Sequence, residues 1–343
     1  MTSQIGPKEI RVVCYDAAKH QRLWDTFVES SMNGTKFHLQ SFLAYHPAGR
    51  FPFHHLLFFR GDRLVALLPG LLRTGSDGTK TYESPAGSSY GSFVVEDVNT
   101  ETALGVVRAF ESYIKDLGVS DVYLTSAPVI YQPVLTQNLD FALLYCGYAY
   151  SRHYISHAID LGKDGEPFTR FQSTSRKIIR QVKRLHPDIE IERLSGETLR
   201  RGLEEFYPIL LENKLKHNAK PTHSLEELLR LHDLVPELMQ LFLVRVGGEA
   251  IAGSLLFLAN PRVALVFYLA LFYRHNEYKP IYLLMEKVAH WAKETGYAFV
   301  DIGVSQDTND ANPMTPALSL IEFKEKFDSR GVLRSTMHKH YAF

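Results

Sequence analysis

Two halves of this chain run through the same order of segments, and that order limits the fold more than any single motif. Gly61-Asp-Arg-Leu-Val-Ala66 turns between two apolar strands, and Gly248-Glu-Ala-Ile-Ala-Gly253 does the same later. Gly118-Val-Ser-Asp-Val-Tyr-Leu-Thr125 and Gly296-Tyr-Ala-Phe-Val-Asp-Ile-Gly303 each read as a strand that follows a helix, and the offsets are about 180 residues. The letters differ between the halves. The shared order admits a duplicated α/β module or two α/β segments alike by chance. A chain of 343 residues is longer than one hydrophobic core usually fills, about 250–300 residues. Pro-containing, charged sequence at Gly162–Pro167 marks the expected boundary, which gives domains 1–160 and 161–343.

The local pattern supports an α/β class. Alternation and apolar runs predict strands at Ile10–Tyr15, His55–Phe59, Leu64–Leu72, Ser92–Val95 and Val119–Thr125. In the second half they predict strands at Leu241–Val246, Ala250–Leu258, Arg262–Phe272 and Ala298–Val304. Helical spacing predicts Arg22–Glu29, Thr102–Leu117 and Ile281–Glu294. The aromatic run Phe141–Tyr154 is expected to cross from one half to the other.

Charge is sorted within a chain that is neutral overall. Lysine plus arginine and aspartate plus glutamate both number 38, which argues against bulk electrostatic binding of DNA or an anionic membrane. Phe168–Leu185 departs from that balance. Apolar residues at Phe168, Phe171, Ile178, Ile179, Val182 and Leu185 form one face. Arg176, Lys177, Arg180, Lys183 and Arg184 share an arc of about 120° opposite it. Ser173-Thr-Ser175 is expected to cap the helix. Such a face suits a pyrophosphate-bearing ligand, whether CoA, a nucleotide-sugar or the end of a tRNA, or else is a solvated surface.

Other chemistries find less support. Cys14 and Cys146 are the only cysteines, so neither a disulfide framework nor a thiolate zinc site is implied. Among 15 histidines, His54-His55, His153 with His157, and His338 with His340 are close pairs. None has a third ligand at a recognisable spacing, so no metal is expected. Met1–Lys8 lacks a basic start with an apolar run, and no apolar stretch reaches the roughly 20 residues of a membrane helix. A cytoplasmic protein with no membrane span is expected.

The end of the chain carries the motifs. A strand closes on Asp301-Ile-Gly303-Val-Ser305, and beyond a Pro/Asn-rich loop comes Phe323-Lys324-Glu-Lys-Phe327. Together with Arg176–Arg184, Leu265–Leu271, Arg274, Pro280 and Leu283-Leu284, the second half resembles the GNAT-fold acyltransferases, in particular the Fem-like branch with two tandem modules. Ser84-Pro85-x-Gly87-Ser-Ser-Tyr90-Gly91 is similar to a segment of the exopolysaccharide-associated members. The resemblance implies two tandem GNAT-like modules, each a mixed twisted sheet flanked by helices, with the acceptor on the first and acyl transfer on the second.

It also implies roles. An N-acyltransferase would move an acetyl or aminoacyl group onto an amine of a cell-envelope or polysaccharide precursor, of sugar or peptide type. Lys324 would stabilise charge on the acyl oxygen or on phosphate. Asp301 would orient the amine or another side chain, and Tyr268 would give a proton to the leaving group. Glu322 is a weaker candidate base. Arg176, Arg180, Lys183, Arg184 and Arg274 would hold the donor. Ser88, Ser89, Tyr90 and Gly91 would wall the acceptor. One departure is clear. Acetyl-CoA-dependent members cradle pyrophosphate with a Gly-rich loop, whereas Arg274-His-Asn-Glu-Tyr-Lys-Pro280 has no glycine. The donor is therefore open between acyl-CoA and aminoacyl-tRNA, and a non-catalytic glycan or nucleotide-sugar binder is the further alternative.

Overall fold

The computed structural model describes residues 9–342 apart from Ala86, His217, Thr308 and Asn309. The stretch Met1–Lys8, read above for a leader, lies outside the described residues. The strands are β1 (Ile10–Cys14), β2 (Leu56–Arg60), β3 (Arg63–Leu68), β4 (Leu71–Thr74), β5 (Lys80–Ser84), β6 (Val94–Val95), β7 (Val119–Thr125), β8 (Ala149–Asp160), β9 (Glu190–Leu194), β10 (Met239–Val246), β11 (Glu249–Asn260), β12 (Val263–Leu271), β13 (Phe299–Val304) and β14 (Ser329–His340). The helices are α1 (Ala17–Ser30), α2 (Gln40–Leu43), α3 (Thr100–Asp116), α4 (Asn138–Tyr145), α5 (Pro167–Arg170), α6 (Ser173–Leu185), α7 (Leu199–Lys216), α8 (Leu225–Leu234), α9 (Pro280–Glu294) and α10 (Leu318–Glu325).

Contacts divide the chain into two compact units, residues 9–153 with 333–342, and residues 154–332. This differs from a cut at 160/161 at both ends. Thr336–His340 of β14 pair antiparallel with Asp121–Thr125 of β7, and that ladder holds the C-terminal residues in the first unit.

In the first unit the hairpin expected around Gly61 joins β2 to β3 within the order β1–β2–β3–β6. A second set runs β4–β5–β7–β14. The strand expected over Leu64–Leu72 is two strands, because Pro69 and Gly70 break it between β3 and β4. Helix α3 starts at Asn99, whose side chain accepts the Thr102 N–H at 2.9 Å. Its apolar stripe, Val106, Val107, Phe110 and Ile114, packs with Phe58 and Phe93 in a core without solvent access.

In the second unit β8, from Tyr154 on, is followed in the sheet by β13, β12, β11, β10 and β9. Helices α6 and α9 contribute Ile179, Val182, Leu284, Val288 and Ala289 to its core. The basic helix is shorter than the pattern Phe168–Leu185 suggests. Phe171 adopts extended backbone, buries its ring 5.3 Å from that of Phe327, and the next N–H, of Gln172, donates to the Lys326 carbonyl. Those contacts split the segment into α5 and α6. Gln172 precedes α6 and makes no side-chain cap, so the serines and threonine after it lie inside the helix.

Candidate active site

The site begins with a local irregularity in β13. Asp301 pairs with Ala158 of β8 and Val304 with Ser156, so β13 spends one residue more than β8 over the same stretch. Such a bulge needs a residue tolerant of left-handed backbone, and Gly303 supplies it at φ 76°. Asp301 locks the turn. Its Oδ1 accepts the Gly303 N–H at 2.8 Å and the Ser156 hydroxyl at 2.6 Å, with no part of the residue exposed.

The bulge turns two carbonyls toward α10. Lys324 Nζ donates to the Gly303 oxygen at 2.8 Å and to that of Val304 at 2.9 Å. The flanking aromatics explain why this lysine is held there. Phe323 and Phe327 pack 5.2 Å apart, against Tyr282 of α9 and, for Phe327, Phe171. Two rings bind the segment to the core, and the residue between them faces the bulge.

Lys324 is 5% exposed. Burial pulls its ammonium down to about 8, opposed in part by the Asp301 carboxylate. An ammonium has three protons to donate. Two go to the carbonyls, and the third can serve a bound anion. Next to it lies His157, also buried, which sequence reasoning considered only as half of a metal pair. Its Nδ1 is 3.4 Å from the Ser305 hydroxyl and its Nε2 3.9 Å from a Glu325 carboxylate oxygen. Burial and then the Lys324 charge push its pKa down, against Glu325 and Asp301. Ser156, His157, Ser305 and Glu325 thus join Lys324 and Asp301. The strand motif carried no sign of Ser156, which lies 145 residues from Asp301.

Tyr268 occupies a different point on β12. Its hydroxyl accepts the His223 N–H at 3.2 Å and lies 2.9 Å from His223 Nδ1, and burial pushes its pKa up to about 12. β12 pairs with β13 only over Val263–Leu265, so the two strands part before Tyr268.

The donor-side residues separate as well. On α6, Arg180 and Arg184 are exposed, with Lys177 beside them, while Arg176 is half-buried. Lys183 is paired with Glu286 of α9 at 2.6 Å. Arg180 lies 5.4 Å above the Phe168 ring. Arg274 stacks 3.8 Å above Phe272 and meets Glu249 at 3.0 Å and Glu212 at 3.5 Å. The glycine-free loop folds as a tight turn over Tyr273–Tyr278, and Lys279 takes the left-handed position at φ 44°. The Lys279 and Tyr282 N–H groups donate within the loop, to Asn276 and Lys279, and Pro280 has no N–H.

In the first unit, Ser88 and Ser89 are half-buried, while Tyr90 and Gly91 are buried. The Ser88 hydroxyl donates to the Tyr90 carbonyl, and Arg334 donates to that of Ser89 at 2.7 Å. The Tyr90 hydroxyl is 3.2 Å from that of Tyr131. Gly91 N–H donates to Thr125 of β7 at 2.8 Å. The histidine pairs have other partners. His54 meets Tyr113 at 2.7 Å, and His338 and His340 flank Asp121 at 2.7 and 3.1 Å. No helix among the described residues is long and apolar enough to cross a membrane.

Residues 170–311 match the acetyltransferase (GNAT) domain family. The whole chain is similar in fold to FemX, with TM-score 0.71 at 13% identity, covering 96% of this chain and 97% of that one. It is similar to L-PGS from Bacillus licheniformis, with TM-score 0.58 at 13% identity over 94% and 92%. It is similar also to a tandem GNAT protein from the clavulanic acid biosynthesis pathway, with TM-score 0.53 at 11% identity over 97% and 98%. No curated protein matches it in sequence.

Proposed function

We propose, from the match of residues 170–311 to the acetyltransferase (GNAT) domain family and the tandem, Fem-like form of the fold, that the second unit transfers an acyl group to a substrate amine beside Lys324. Attack of the amine on the acyl carbonyl forms the new C–N bond and places negative charge on the carbonyl oxygen. Collapse of that intermediate breaks the C–S bond to CoA or the C–O bond to the tRNA ribose, and the proton lost by the amine passes through His157 to the departing sulfur or oxygen. A buried ammonium stabilises such charge far better than water does, since it is already oriented and little solvent screens it. The observation that carries this reading is Lys324 itself, fixed by two carbonyls with one proton left to donate. Asp301 acts as a positioning residue, because it holds the bulge that presents those carbonyls. His157, kept neutral by burial, is placed to take up a proton beside the reacting centre.

The acceptor would be an amine of a sugar or peptide precursor in cell-envelope or polysaccharide synthesis, with the first unit as the acceptor side. For the donor, the internally bonded loop Phe272–Lys279 and the exposed cations Lys177, Arg180 and Arg184 favour an aminoacyl-tRNA over acyl-CoA. The test offers both donors to the purified protein with amino-sugar nucleotides and short peptides, and follows acylated product by mass spectrometry. Lys324→Met should lower turnover about 10²–10³-fold, as loss of one preorganised donor does elsewhere. Unchanged turnover in that variant removes Lys324 from the chemistry.

A further inference from the structure

The first unit carries a strand edge that the transfer chemistry does not use. β1 is outermost in the order β1–β2–β3–β6, so among the described residues no strand pairs with its outer side. Tyr15 N–H donates to the His55 carbonyl at 2.9 Å, and the register runs unbroken from Cys14↔Leu56 to Ile10↔Arg60. In an antiparallel ladder, residues that bond the partner alternate with residues whose N–H and C=O point away. Counting back from Tyr15, Val13 and Arg11 bond β2. Ile10, Val12 and Cys14 aim their backbone groups outward.

Helix α3 runs beside this edge in the same direction. A Cβ on Gly105 would stand 3.1 Å from the Ile10 side chain, and the Tyr113 hydroxyl is 2.8 Å from Cys14 Sγ. Four residues of strand rise about 13 Å and eight of helix about 12 Å, so the two keep pace. They border a groove of about 1160 Å³, lined by Ile10 and Val12 on the strand side and by Arg108, Ala109, Ser112 and Tyr113 on the helix side.

We propose that this edge and the α3 wall beside it dock an extended peptide segment of a partner protein, added as a fifth strand next to β1. Outward N–H and C=O groups recurring at every second residue match the spacing of another strand, which satisfies them one for one. The groove carries charges of both signs, from Arg11, Arg60 and Arg108 to Glu101 and Asp116. That lining suits a segment in which apolar residues alternate with charges of both signs. The proposal does not depend on acyl transfer in the second unit.

The experiment follows backbone amide exchange in the full chain with the probe peptide acetyl-Lys-Val-Thr-Val-Glu-Val-Lys-amide. Exchange at Ile10 and Val12 should slow at least tenfold at millimolar probe, with Arg11 and Val13 unchanged. Val12→Pro removes an outward N–H without touching the β1–β2 ladder, and Ser112→Trp fills the groove from an exposed helix position. Both should abolish the slowing. If Val12→Pro does not fold, Ser112→Trp alone carries the test. Unchanged exchange with the probe overturns the proposal. So does slowing that survives in Ser112→Trp, or protection of the same amides by self-association without peptide.

Discussion

At Lys324, burial and charge work against each other. Lys324 itself has almost no solvent access, and its pKa falls from 10.5 to about 8. An ammonium that stabilises an oxyanion must be protonated, so turnover should fall as pH rises through about 8. A pH–rate profile checks this, and Lys324→Met should lack the descending limb. Stability changes in the opposite sense. Between about pH 8 and 10.5 the unfolded chain holds a proton that the folded chain has lost, so stability rises with pH across that window. The rise is on the order of 3 kcal/mol, and urea denaturation of wild type against Lys324→Met isolates it. Asp301→Ala leaves the Ser156 hydroxyl and Gly303 N–H without their acceptor. It should cost about 2–6 kcal/mol, at roughly 1–3 for each of the two unsatisfied groups, and lower turnover because the carbonyls on Lys324 move with the bulge.

At the scale of the element, the terminal motif is a helix clamped by rings, and the clamp sets the site. Phe327 has no exposed surface, so Phe327→Ala should cost about 3–5 kcal/mol in denaturant unfolding and reduce turnover in the fraction that stays folded. Helix α6 predicts a contrasting result. Lys177→Glu with Arg184→Glu changes only exposed positions, so stability should move by less than about 0.5 kcal/mol for each. Donor binding should weaken and lose part of its salt dependence, which a titration at two ionic strengths reads directly. The amphipathic period of α6 was legible because its burial is one-sided. Its start was not, because the break at Phe171 depends on Phe327, which is distant in sequence. Helix α10 and strand β14 escaped the pattern for a related reason. Neither separates apolar from polar residues cleanly, and each is fixed by its partners: the rings of Tyr282 and Phe171 for α10, and β7 for the end of β14.

Across the whole molecule, the shared order of segments was the part of the sequence that foretold the class of fold. Each unit has a mixed set of strands flanked by helices, with a parallel pair in each, β5 with β7 and β12 with β13, and the fold is that of tandem GNAT proteins. The site was half legible. Asp301 and Lys324 carry motifs and do meet around one bulge. Tyr268 could be placed on a strand but not aimed, since its partner His223 lies in a different loop. Ser156 and His157 come from β8, whose place beside β13 no local pattern announces. The return of the C-terminal residues to the first unit was equally hidden. Deleting residues 333–343 removes the partner of β7 together with buried Met337 and Tyr341, and the first unit should unfold at lower denaturant while the second retains its transition. The central claim is acyl transfer that depends on the Lys324 ammonium. It is tested most directly by single-turnover acylation of an amine acceptor by wild type and Lys324→Met across pH 6–10, with each donor in turn. The account predicts a rate that declines above about pH 8 in the wild type and is at least a hundredfold lower, without that decline, in the variant. Equal rates in the two proteins would contradict it.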